Sequence, residues 1–156
     1  MSFQKIQGVE IRPLKFHQDQ RGWLTELFRI DELTNQQVPE MAYVSETKPG
    51  YSRGPHEHKD QTDIFGFFGP GDMRLYLWDA RTSSPTYGTK MKIHVGQMNP
   101  CVVIIPPGVV HGYQNTSEVN ALVFNTPNRL FAGFQRKSPV DEIRHENDPD
   151  SPYCFD

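Results

Sequence analysis

The sequence predicts an all-β chain of many short strands closed into a sandwich or jelly-roll barrel, with at most one or two short helices. Three observations lead there. The apolar stretches are short and rich in β-branched and aromatic residues. Twelve glycines and 13 prolines break up the 156 residues, as tight turns require. No helical crossover separates the strand candidates, so the strands pair with one another. The length suits a single domain, 1–156, able to bury a real core.

The strand candidates run in order as Val9–Leu14, Leu24–Phe28, Met41–Glu46, Asp63–Phe68, Met73–Asp79, Lys90–Val95, Cys101–Ile105 and Ala121–Asn125. Each carries the residues that fit a pleated, half-buried surface. Asp31–Gln37, with Asp31 at a possible N-cap, is the one helix expected. After Ser138 the chain turns polar. Composition alone leaves that tail open between frayed and ordered.

Charge narrows the partners. The formal net charge is −3 and neither sign forms a long block, which argues against nucleic acid. No apolar stretch nears the roughly 20 residues of a membrane span, and residues 1–20 lack a signal-like apolar core, so a cytoplasmic location is expected. Cys101 and Cys154 are too few for a disulfide scaffold and read as free thiols.

The chemistry gathers in two segments. In Gly50 to Asp63, G-Y-S-R-G-P-H-E-H-K-D-Q-T-D, His56 and His58 stand two apart in an extended stretch and share one strand face. The segment P-P-G-V-V-H-G-Y-Q-N, from Pro106 to Asn115, adds His111. Together they resemble the paired cupin motifs, G-x5-H-x-H-x4-acid with Asp63 as the acid, and P-x-G-x2-H-x3-N. Neutral imidazoles and a carboxylate suit Fe, Mn, Ni or Zn, so His56, His58, Asp63 and His111 form a candidate divalent-metal set. The same side chains equally suit a cofactor-free site of bases and donors.

A longer match narrows the family. Phe16-x2-Asp19-x-Arg21-Gly22-x3-Glu26-x-Phe28, Arg53-Gly54-Pro55-His56, Asp79-Ala80-Arg81 with Ser84-Pro85-Thr86-Tyr87-Gly88, Ile105 to Tyr113, and Ile143 to Pro149 resemble segments of the dTDP-4-keto-6-deoxyglucose 3,5-epimerases. That resemblance implies a cofactor-free enzyme, a nucleotide-diphosphate sugar substrate and a homodimer in which the Arg21 segment reaches the partner's site. It implies His56 as catalytic base with Asp148 as its carboxylate partner, and a tail, 138–156, folded back over the barrel. Arg21, Glu26, Phe28, Arg53 and Asp63 would bind substrate. His58, His111 and Tyr113 would assist catalysis or stabilise the enolate. The tyrosine that delivers a proton to the opposite sugar face in that family has no counterpart in Asn128-Arg129-Leu130-Phe131.

The implied chemistry is physically sensible. A 4-keto group acidifies the hydrogens at C3 and C5, and an oriented neutral imidazole can remove one. Three other functions stay open at this point. Arg53-Gly54-x-His56-x-His58-Lys59 also resembles the nucleotide-sugar 3,4-ketoisomerases, the metal set suits a dioxygenase-like cupin, and the missing tyrosine leaves open a non-catalytic sugar-binding cupin.

Overall fold

The computed structural model describes residues 5–156. The strands are β1 (Glu10–Pro13), β2 (His17–Asp19), β3 (Gly22–Leu24), β4 (Tyr43–Thr47), β5 (Ser52–Glu57), β6 (Asp63–Phe67), β7 (Asp72–Asp79), β8 (Lys90–Gly96), β9 (Cys101–Ile105), β10 (Val109–Asn115), β11 (Ala121–Asn125) and β12 (Ile143–Arg144). Two five-stranded antiparallel sheets, ordered β1-β9-β6-β11-β4 and β12-β5-β10-β7-β8, face each other, and β2-β3 forms a separate hairpin. The expected all-β jelly-roll architecture is what the chain adopts.

The core lies between the sheets. Phe65, Phe67, Val103, Ile105 and Val123 of the first sheet meet Leu75, Leu77, Met91, Val95 and Tyr113 of the second. The outer faces are covered by the chain itself. Leu14, Leu27 and Leu33 lie on Ile64, Val102 and Ile104. Tyr153 and Phe155 pack on Tyr76, Trp78 and Val110. This double covering explains why β6 and β9 are buried along their whole length and read as continuous apolar runs rather than alternating ones.

Two expected elements differ. Leu24 ends a strand instead of starting one, because Gly22 turns a short hairpin back onto β2. Asp31–Gln37 is no helix but a single 3-10 turn over Ile30–Glu32 followed by turns. The Asp31 carboxylate binds the Arg29 guanidinium at 2.8 Å and caps nothing, and the segment lacks an apolar stripe to bury.

The tail is built in. Ile143 and Arg144 add to the edge of the second sheet opposite Glu57 and His56. The Asp141 carboxylate accepts the amides of Lys59, Asp60 and Gln61 at 2.8, 2.9 and 3.0 Å, tying the tail to the turn beyond β5. The Tyr76 hydroxyl donates to the Asp156 carbonyl at 2.5 Å, and Lys90 and Lys92 lie 3.2 and 3.3 Å from its carboxylate.

Candidate active site

Strand periodicity aims the functional side chains inward. On β5, β6 and β10 alternate residues face the barrel, so His56, Asp63 and His111 project from different strands into one space. His56 pairs with His111 in the β5–β10 register, and their rings stand 4.5 Å apart. The Gly-Pro preceding His56 falls where that register shifts. Gly54 there has φ of +80°, and a Cβ on it would lie 2.7 Å from the His111 carbonyl oxygen, so glycine is required for the close approach of the two strands.

His56, His58, Asp63 and His111 each bring one ligand-type atom within 4.8 Å of the others. Asp63 is buried, and its Oδ2 lies 3.2 Å from Nε2 of both His58 and His111. Its Oδ1 accepts from Gln61 Nε2 and Asn125 Nδ2, each at 2.9 Å. Burial opposes the carboxylate, yet the imidazoles of His111 and His58 hold Asp63 well below the usual carboxyl range.

The tautomers follow from carbonyl partners. His111 Nδ1 is 2.9 Å from the Val109 carbonyl, and His58 Nδ1 bonds the Asp141 carbonyl. A carbonyl only accepts, so both Nδ1 atoms carry hydrogen. A neutral ring then presents a bare Nε2 to Asp63, and His111 Nε2 is buried with no hydrogen bond of its own. At His58 the competition resolves in favour of the cation. Burial lowers its pKa, the Asp63 carboxylate more than offsets that, and the value rises to about 8. His56 goes the other way, pushed down to about 2 by burial and by the neighbouring imidazoles of His111 and His58. Its imidazole is held neutral.

The donor set fits a divalent transition metal by type and convergence, and ring Nδ1–H groups bound to backbone carbonyls are the usual support of metal-bound histidines. His58, Asp63, His111 and His56 would hold such an ion.

The cluster opens into a cavity of ≈ 860 Å³, the size of a small-molecule site. Among the residues expected at the site, His56, His58, Arg53 and Tyr113 line it. Arg53 donates to Thr47 Oγ1 and to the Glu46 carbonyl, and Tyr113 shares a 3.0 Å hydrogen bond with Ser45. Arg21, Glu26 and Phe28 lie elsewhere. Arg21 sits exposed on the β2–β3 turn beside Asp19, while Glu26 and Phe28 line a separate cavity of ≈ 220 Å³. Asp148 is exposed, and its carboxylate accepts from the Asp150 amide. The carboxylate facing His56 is that of Glu142, with Oε1 3.9 Å from Nε2 and Oε2 2.7 Å from Arg144.

Several lining residues were not singled out in the sequence: Tyr43, Gln61, Arg129, Arg136, Glu142 and Arg144. Arg129 and Arg136 belong to a rim where Ala132, Gln135 and Arg136 take left-handed φ values of 57°, 55° and 58°. Nothing in local composition marks such a rim, although four arginines on one cavity have a clear chemical meaning once they converge.

Known proteins resemble the chain over most of its length. The family model described as dTDP-4-dehydrorhamnose 3,5-epimerase matches residues 4–138. The spore coat polysaccharide biosynthesis protein SpsL of Bacillus subtilis is 35% identical over 113 residues, 72% of this chain and 74% of that protein. The probable low-salt glycan biosynthesis epimerase Agl13 of Haloferax volcanii is 36% identical over 127 residues, 81% of each. The crystal structure of a dTDP sugar isomerase from Desulfovibrio desulfuricans superposes with a TM-score of 0.79 at 25% identity, covering 96% of this chain and 91% of that one. Shared sequence over most of the chain, together with the shared barrel, makes this protein an enzyme acting on nucleotide sugars. The chain belongs to the dTDP-4-dehydrorhamnose 3,5-epimerase family.

Proposed function

We propose that this enzyme epimerises a nucleotide-diphosphate 4-keto-6-deoxy sugar by removing a proton next to the keto group, with His56 as the base and no cofactor. One observation carries the reading: His56 lines a cavity that also gathers Arg53, Arg129, Arg136 and Arg144, and burial holds its imidazole neutral. A neutral ring nitrogen can take a proton, and guanidinium groups grip diphosphate oxygens bidentately. With Nε2 turned toward Glu142, Nδ1 is the nitrogen left for the substrate. The 3.9 Å gap to Glu142 exceeds a hydrogen bond, and such contacts tighten when substrate fills a site. Glu142 then stabilises the imidazolium that forms, the role assigned to Asp148 by resemblance alone. The cationic His58 favours the enolate through its charge, since both of its nitrogens are already engaged.

A second reading has its own observation, the unpaired Nε2 of His111 beside Asp63. A divalent cation there would act as a Lewis acid on a substrate oxygen. The two readings part on whether proton abstraction survives chelation.

The exposed Arg21 hairpin suits a homodimer. Trp23 and Leu24 are exposed on it and Ile30 on the turn that follows, apolar side chains that a second copy of the chain would cover while bringing Arg21 to its site. No helix among the described residues is long and apolar enough to cross a membrane. Unpaired Cys101 and Cys154 and a nucleotide-sugar substrate suit the cytoplasm. The reading is tested by incubating the enzyme in heavy water with a panel of nucleotide 4-keto sugars. Deuterium at C3 or C5 with inversion supports it, whereas a relocated keto group would establish a ketoisomerase instead.

A further inference from the structure

Inversion at carbon needs two groups, one to remove the proton and one to deliver a proton to the other face. The base comes from β5, in the second sheet. The donor must therefore stand across the cavity, on the first sheet or beyond it. Asn128 to Phe131 offers no hydroxyl.

We propose that Tyr43 is the proton donor to the face opposite His56. The proposal rests on the epimerase reading above. Tyr43 lies on β4 and lines the same cavity as His56, but from the facing sheet. Its hydroxyl is 2.7 Å from Asn125 Nδ2. That same nitrogen is 2.9 Å from Asp63 Oδ1. The amide cannot be turned around, because its oxygen would then meet the Asp63 oxygen of an ionised carboxylate. Asn125 is thus fixed as the donor to both. The Tyr43 oxygen accepts, and its own hydrogen is left free to point at a ligand.

Tyr113, the other tyrosine on the cavity, does not fit this role. It belongs to β10, beside β5 on the sheet that carries the base, and its hydroxyl is engaged with Ser45. Burial and the nearby Asp63 raise the Tyr43 pKa above that of ordinary tyrosine, so the hydroxyl is protonated throughout the working range.

The step balances. His56 takes the proton of the C–H bond beside the keto group, and the electron pair moves into the enolate. The Tyr43 O–H bond breaks as its proton goes to the opposite face of the same carbon, leaving tyrosinate. The proton on His56 leaves to solvent and one from solvent returns to Tyr43, so nothing is consumed.

The test compares wild type and Tyr43→Phe in heavy water with a nucleotide 4-keto sugar, following deuterium uptake and epimer formation separately. Tyr43→Phe is expected to keep deuterium uptake within a few-fold, because His56 still abstracts and returns a proton on its own face. Epimer formation should fall by about 100-fold or more. Epimer formation by Tyr43→Phe within a few-fold of wild type would overturn the assignment, as would equal loss of uptake and epimerisation. If the phenylalanine variant does not fold, 3-fluorotyrosine at position 43 serves in its place. A several-fold change in the epimerisation rate at fixed pH, with deuterium uptake unmoved, supports the donor role, and an unchanged epimerisation rate overturns it. Absence of uptake in the wild type would instead remove the epimerase reading itself, and the donor with it.

Discussion

Glu142 Oε1 stands 3.9 Å from His56 Nε2, while the carboxylate of Asp148 turns away to the Asp150 amide. His56, the proposed base, thus has its nearest carboxylate six residues earlier than resemblance to the family's tail implies. Glu142→Gln is expected to lower kcat by about 10- to 1,000-fold with little change in KM, because an amide cannot stabilise the imidazolium. Asp148→Asn should stay within a few-fold of wild type. Steady-state kinetics on both variants decide it, and the reverse pattern would return the role to Asp148.

The opposed histidines set a pH profile for stability. His58 has its pKa raised from 6.5 to about 8, so its contribution is fully present below 6.5 and is lost as pH rises through 8. His56 is lowered from 6.5 to about 2, so the unfolded chain takes up its proton first and stability falls as pH drops below 6.5. Thermal unfolding across this window should show both limbs. His58→Gln should flatten the alkaline limb, and an unchanged limb would contradict the ion pair with Asp63.

Arg129 and Arg136 line the cavity, and the proposed function has them hold the diphosphate. Alanine at either position is expected to raise KM by about 10-fold while leaving kcat nearly constant, the signature of lost uniform binding. Arg53 differs because it also ties Thr47 and the Glu46 carbonyl together, so its loss should lower the melting temperature as well. Unchanged KM in both rim variants would move the diphosphate elsewhere.

The sequence made some of this legible and hid the rest for physical reasons. Cys101–Ile105 reads as a strand because both of its faces are buried, and the three histidines with Asp63 stand out because two-residue spacing fixes their common face. β5 is harder to read. Proline and glycine normally argue against a strand, and only the register shift opposite His111 shows why they are tolerated. Glu142 and Asp141 lie in a polar stretch indistinguishable from a solvated tail until its amide bonds are seen. Tyr43 looks like any strand aromatic, and its meaning depends on Asn125, 82 residues away.

The homodimer is testable through the exposed apolar residues of the hairpin. Trp23 is 54% and Leu24 62% exposed, and Trp23→Glu is expected to shift the protein toward monomer in light scattering and to reduce activity with it. A wild-type protein that is monomeric and fully active at assay concentration would contradict the arrangement.

Proton abstraction by His56 without a metal is the central claim. Its most direct measurement is deuterium uptake into substrate by chelator-treated wild type and His56→Ala, read by mass spectrometry. The account expects uptake by wild type at an undiminished rate after chelation and none by His56→Ala. Uptake that persists without His56, or that vanishes on chelation and returns with about one equivalent of Fe, Mn, Ni or Zn, would contradict it.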